Sequence, residues 1–162
     1  AFHIAYLLGK DEVGEISAKE RGLLRTLTPV LKLYTAKKTI TISSEVVEMF
    51  GGAGYVEDTG LPRLLRDAQV FSIWEGTTNV LSLDMLRAFE KEQSLPLLVD
   101  FLKNSAAFKS QHPLFMQSWK TFEKLLADFQ SNDTEYMETH ARHTALLIGD
   151  LMGTALMVEQ GL

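Results

Sequence analysis

The 162-residue chain contains no cysteine. That excludes disulfides, thiolate nucleophiles and cysteine-ligated metals or clusters. Proline is scarce, at four residues, so few positions force a break in a helix. No apolar run approaches the roughly 18 residues of a membrane-spanning helix, and no stretch alternates apolar and polar residues as a half-buried strand does. Positive charge is in deficit: 16 Lys and Arg face 21 Asp and Glu, for a formal net charge of −5. Phosphate backbones need clustered cations, so an acidic chain is a poor default partner for nucleic acid. No signal peptide is evident. The expectation from these absences is a cytoplasmic protein that neither spans a membrane nor binds DNA.

What is present is ordinary globular material. Hydrophobic residues make up 46% of the chain and charged residues 23%, enough for one domain, residues 1–162, with a core of its own. Both ends, AFHIAYLLGK and LMGTALMVEQGL, are apolar. Exposed apolar ends are costly. The expectation is therefore a fragment whose first residues continue an upstream helix.

Apolar residues recur at i, i+3, i+4 along most of the chain, which predicts an all-α protein. A helix tail at 1–8 is closed by Gly9. Ser17 and Glu20 form a capping-box pattern that opens a short helix. Thr28-Pro29 then reads as N-cap and first helical residue, followed by a helix over about 30–50. Its middle, TITISS, has poor helix propensity, and a strand is the competing reading. A short helix is expected at 62–68, then helices at 78–91, 94–108 and 113–129. Asp133 caps a last helix, with Leu146, Leu147, Leu151, Leu156 and Met157 facing inward. Leu114, Trp119, Phe122, Leu125, Leu126 and Phe129 mark the apolar side of the helix before it. Short connections predict antiparallel neighbours.

Several constellations could carry chemistry. FGGAGY, residues 50–55, sits at a helix C-terminus, so it is not a strand-to-helix phosphate loop. It is either a C-cap with spare glycines or a place where a large ligand passes close to the backbone. In PRLLRDA, residues 62–68, Arg66 and Asp67 either form a solvated ion pair or brace the turn that follows. Glu75 lies between Trp74 and Gly76 on a hinge before a helix. It either interacts with the helix N-terminus or, in a partly apolar turn, has raised basicity suited to proton abstraction. His140 and His143 are spaced to share a metal ion, but no further ligand motif accompanies them and no metal is assigned. His3 reads as a core residue and His112 as a cap.

The segment VVEMFGGAGYVEDTGLPRLLRDAQVFSIWEGTTNVLSLDMLRAF, residues 46–89, closely resembles the C-terminal helical domain of acyl-CoA dehydrogenases. LPRLLRDAQVFSIWEGTTNVLSLDMLR is most similar to the branch of the adaptive-response protein AidB, as are LTPVLK at 27–32 and the long helical tail. The resemblance implies a four-helix bundle with extra C-terminal helices. An N-terminal helical domain and a middle β-domain would lie outside this chain. It implies FAD between the middle and C-terminal domains and against a neighbouring subunit, an acyl-CoA substrate, and a homo-oligomer, dimer or tetramer, serving fatty acid metabolism. The electron acceptor stays open.

By the same resemblance Glu75 stands at the catalytic-base position in the signature EGT. Its N–H and Gly76 contact the substrate thioester. Gly51 and Gly52 match a glycine pair near the FAD of an adjacent subunit, Thr77 and Asn79 match positions that bond the flavin nucleotide, and Trp74 stands near the flavin where many members have Tyr. Arg66 and Asp67 match a structural pair. Glu48 replaces a frequent Gln that contacts FAD, Asn79 replaces another Gln, and Leu64 and Leu65 replace Tyr residues. The function implied is α,β-dehydrogenation of an acyl-CoA, with the 162 residues inactive by themselves. The alternatives are a DNA-associated protective flavoprotein and a structural oligomerisation bundle. The basic residues after position 90 are scattered among acids, which weighs against the first alternative.

Overall fold

The computed structural model of the chain describes residues 1–131 and 133–161. Among them are nine α-helices and no strand: α1 Phe2–Glu12, α2 Ala18–Met49, α3 Gly52–Tyr55, α4 Leu61–Val70, α5 Thr78–Glu92, α6 Ser94–Asn104, α7 Ala106–Lys109, α8 Pro113–Ser131 and α9 Thr134–Glu159. A 3-10 turn, Glu57–Thr59, links α3 to α4. None of these helices is long and apolar enough to cross a membrane.

α5 packs between α2 and α9, α8 lies along the other side of α9, and α6 closes the group against α2. Their shared core includes Leu27, Leu33, Met85, Phe122 and Ile148. The all-α bundle with added C-terminal helices is therefore as expected, but several boundaries differ. Gly9 does not close α1; the helix continues to Glu12 and turns at Gly14, with φ 74°. The Ser17–Glu20 capping box forms, with Ser17 N–H donating to Glu20 at 2.9 Å and Glu20 N–H to Ser17 Oγ at 3.3 Å. It opens the long helix α2, not a short one.

Thr28-Pro29 does not start a new helix, since α2 runs through it. A proline inside a helix costs about 3 kcal/mol in isolation. Here the residue is buried in the bundle, and Thr28 Oγ1 donates to Leu24 O at 2.7 Å. Burial on the bundle outweighs the missing N–H. TITISS is helical, not strand. Hydroxyls of Thr35, Thr39 and Thr41 bond back to the carbonyls of Leu31, Thr35 and Lys37, which satisfies them without leaving the helix.

Ser94 begins α6, but that helix ends at Asn104, and Ser105 caps the separate short helix α7 through Phe108 N–H. Asp133 caps α9 as read, accepting from Tyr136 N–H at 3.0 Å. Leu114 and Met157 face solvent, not the core. Each lies near a helix end, where the neighbouring helix no longer covers the stripe.

Two contacts fix the spacing of α2. Thr26 Oγ1 donates to Ser94 Oγ at 2.5 Å, and Ser94 Oγ donates to Ala88 O at 2.9 Å, both hydroxyls fully buried. On the α9 side the Tyr34 ring occupies the space where a Cβ of Gly149 would be. Beyond Ala36 no residue of α2 is buried. This outer part projects from the bundle as an arm, with α3 and α4 folded back along it.

Candidate functional site

α4 starts after Gly60, in the left-handed region at φ 74°, and carries Pro62 in its first turn. It ends at Val70, and the chain tightens into a turn. Ser72 N–H donates to Gln69 O at 3.1 Å, and Ile73 and Trp74 N–H both reach Val70 O, at 3.0 and 3.1 Å. Glu75 follows with φ 57° and Gly76 with φ 113°. A non-glycine residue at positive φ is uncommon and carries local strain. Thr77 is extended and begins α5, yet its hydroxyl makes no capping bond, and the first turn of α5 holds no acid. The N–H groups at this helix start therefore remain open to an incoming anion.

Glu75 is exposed, and it enters no ion pair among the described residues. It is not in the apolar turn expected from Ile73 and Trp74, because both of those side chains are themselves about 60% exposed. It borders a groove of about 740 Å3 that also takes in Leu24, Leu31, Leu81, Arg25 and Lys32. The other charges there are committed. Arg25 forks onto Asp84 at 2.7 and 2.9 Å and reaches Glu92 at 3.3 Å, and this guanidinium holds the Asp84 carboxyl below its ordinary value. Arg21 binds Asp11 at 2.7 Å.

Of the two readings of Arg66 and Asp67, the solvated ion pair holds and the brace does not. Arg66 forks onto Glu57 at 2.8 Å through both nitrogens, and Asp67 lies 3.4 Å from Arg63, one helical turn away. Neither pair includes a residue of the turn after Val70. The turn is held instead by Lys32 of α2, whose Nζ donates to Phe71 O at 2.5 Å and Trp74 O at 2.9 Å. Sequence reading missed this residue. The signal was indirect: α4 has no basic side chain in its own last turn, and Lys32 stands alone between the buried Val30 and Leu33.

The expected cofactor residues fall into two groups. Trp74, Thr77 and Asn79 join Glu75 and Gly76 at the turn, all but Gly76 exposed. Asn79 also lines a cleft of about 420 Å3 with Ser82, Glu138 and Arg142, so the tail helix α9 comes up to this side. Glu48, Gly51 and Gly52 lie at the end of the α2 arm, sixteen residues or more beyond Lys32, roughly 24 Å at the rise of an α-helix. One chain does not bring the two groups together. Gly51 has φ 54°, and neither it nor Gly52 has any atom within 4 Å of a built Cβ, so their open side faces away from this chain. Gly54 is the glycine the fold itself requires, because a Cβ there would meet Val47 O at 1.9 Å.

An anionic cofactor with an aromatic ring finds suitable groups at the turn: an uncapped helix start, the Thr77 hydroxyl, the Asn79 amide and an exposed indole at Trp74. The exposed Glu48 carboxylate at the other group does not suit a phosphate.

His140 and His143 do not form a ligand cluster. His140 Nδ1 is 2.9 Å from Tyr136 O, and its ring stacks on Tyr136 at 4.1 Å; no group of three metal-ligating side chains occurs among the described residues. His3 is half-buried against Phe101. Burial lowers its pKa.

The sequence profile of one family, described as acyl-CoA dehydrogenase, C-terminal domain, matches residues 4–89. The chain is 41% identical to acyl-CoA dehydrogenase family member 11 of Caenorhabditis elegans, over 98% of this chain and 28% of that protein. The crystal structure of C. elegans ACDH-11 in complex with C11-CoA aligns at TM-score 0.75 and 41% identity, over 93% of this chain and 28% of that one. The apo form of Bd2924 aligns at TM-score 0.85 and 58% identity, over 99% of this chain and 30% of that one. Putative acyl-CoA dehydrogenase AidB of Escherichia coli (strain K12) is 43% identical, over 46% of this chain and 14% of the relative. The chain spans less than a third of the length of each of these proteins.

Proposed function

Because the chain belongs to the family of acyl-CoA dehydrogenase C-terminal domains, we propose that it is the C-terminal domain of an FAD-dependent acyl-CoA dehydrogenase in which Glu75 is the catalytic base. The observation that carries the reading is the placement of Glu75. It is held at positive φ on a turn outside the bundle, in no ion pair among the described residues, on the rim of a groove of about 740 Å3. A carboxylate meant only to stabilise the fold would be expected to find a cation, as Asp84 and Glu57 do. The C11-CoA bound to ACDH-11 supports an acyl-CoA thioester as the substrate class.

In this reading the Glu75 carboxylate takes the α-proton of the thioester. The N–H of Glu75, which bonds to no carbonyl of the described fold, donates to the thioester oxygen as negative charge builds there. Bound FAD would supply the hydride acceptor. Thr77, Asn79 and the α5 start would hold its phosphates, and the exposed Trp74 indole would serve its ring. Gly51 and Gly52 serve the neighbouring subunit's cofactor, and that division makes the protein a homo-oligomer. The N-terminal helical and middle β-domains complete the site, so the 162 residues alone are inactive.

The test uses the full-length protein with FAD, mixed anaerobically with acyl-CoAs of graded chain length. Flavin bleaching by one chain class is expected. Glu75→Gln should slow it by roughly 10²–10⁴-fold, the usual contribution of a positioned base. Bleaching that survives Glu75→Gln at the wild-type rate refutes the assignment.

A further inference from the structure

Glu75 depends on a turn that has little to hold it. The residue sits at φ 57°, a region non-glycine residues occupy only as a minority state. Gly76 beside it, at φ 113°, adds no stiffness. The turn's own backbone bonds stop at Trp74 N–H. Two carbonyls precede the position, Phe71 O and Trp74 O, at the negative end of α4, where the helix supplies no cation of its own. Bare carbonyls at a helix end favour an approaching cation.

Lys32 fills that role from a different element. Its ammonium bridges both carbonyls, at 2.5 and 2.9 Å. Its backbone is anchored in the most buried part of α2, between Val30 and Leu33, each 2% exposed. The position of the turn is thus referred to the core of the bundle through one side chain, forty-three residues earlier in the chain.

We propose that Lys32 is a positioning residue: its ammonium bridge to Phe71 O and Trp74 O holds the turn that aims the Glu75 carboxylate. The proposal rests on the reading of Glu75 as the base. It predicts that losing the bridge lowers the rate of proton abstraction more than it weakens substrate binding, since displacement of a reacting group by about 1 Å can cost on the order of 100-fold.

The experiment uses the full-length protein with Lys32→Met and Lys32→Arg, and Glu75→Gln in parallel. The readouts are kcat, KM and amide hydrogen exchange of peptides covering residues 71–79. With Lys32→Met we expect kcat to fall by about 10–100-fold with KM within about threefold. Exchange should quicken at 71–79 and not in α5 beyond Asn79 or in α9. Lys32→Arg, which can also donate to both carbonyls, should restore most of kcat and the slow exchange. Unchanged kcat and exchange in Lys32→Met overturn the proposal. So does faster exchange spread through α2, α5 and α9, which would make Lys32 a general stability residue. If Glu75→Gln keeps full activity, the catalytic reading fails separately. Faster exchange confined to 71–79 then still supports the bridge, and unchanged exchange overturns it.

Discussion

Replacing Gly149 with alanine probes how tightly α2 and α9 are fitted. A Cβ there would stand 2.2 Å from Tyr34 Cδ2 and 2.5 Å from Tyr34 Cγ. Cγ lies next to the root of the side chain, so the ring clears the methyl only by leaving its rotamer or by moving the helices apart. The same ring is tied down by its hydroxyl, which donates to Asp150 at 2.7 Å, and by the Lys38 ammonium 5.0 Å over its face. Burial, with that donated bond second, raises the phenol pKa well above its ordinary value. Three effects compete. Alanine gains about 1 kcal/mol over glycine in a helix. Overpacking a fitted contact costs about 1–3 kcal/mol. Losing the Tyr34–Asp150 bond costs about 1.5 kcal/mol. The net is a loss of about 1.5–3.5 kcal/mol, and at about 2–4 °C per kcal/mol for a domain of this size Tm should drop by roughly 3–14 °C. Calorimetry and urea titration of the 162-residue chain measure this. Adding Tyr34→Ala makes room for the methyl, so the double variant should be more stable than the sum of the single effects by about 1 kcal/mol or more. A Gly149→Ala chain as stable as the parent, or strict additivity with Tyr34→Ala, would refute the steric argument.

Ser94→Ala leaves the buried Thr26 hydroxyl without its acceptor and should destabilise by about 1–3 kcal/mol. Thr26→Val in the same chain should recover part of that loss in urea titrations, and a worse double variant would show that Thr26 finds another acceptor. Acid sensitivity follows from the depressed carboxylates. Lys10 and Ser17 hold the Glu20 carboxyl at about 2, Arg25 lowers Asp84 and Arg66 lowers Glu57. The folded chain therefore binds fewer protons than the unfolded one below pH 4.5. This stabilisation is present above that pH and lost as pH falls towards 2. His3, lowered by burial, adds a shallower loss starting below 6.5, because only the unfolded chain protonates it freely. Tm against pH should show both phases, and an acid slope unchanged in Glu20→Gln plus Asp84→Asn would count against these pairs.

Residues 61–92 show what was legible. The helices on either side of the turn and the EGT signature announce themselves within a few neighbouring positions. So did the capping box at Ser17 and the Asp133 cap, since a cap is made by groups three residues apart. The end of the helix tail at Gly9 and the new start at Pro29 were misread for a shared reason. Glycine and proline penalties are local, about 1–3 kcal/mol; at Pro29 packing along the buried face of α2 overrides them, and at Gly9 the helix simply absorbs the smaller one. The partly buried setting expected for Glu75 was also misread, and only the structure decided between a solvated pair and a brace for Arg66 and Asp67. Exposure and pairing depend on which residues of distant helices arrive nearby.

By itself, then, the sequence determined the all-α class, the family, and the candidate residues Glu75, Gly76, Thr77 and Asn79. All of these follow from short-range periodicity, caps and a contiguous motif. Tertiary structure alone decided that Lys32 holds the turn, that Arg25 is spent on Asp84, that Tyr34 demands a glycine at 149, and that Glu48, Gly51 and Gly52 stand about 24 Å along α2 from the Glu75 turn. Those facts rest on contacts between residues tens to more than a hundred positions apart. No local propensity encodes such contacts, because their free energy exists only once the helices have packed.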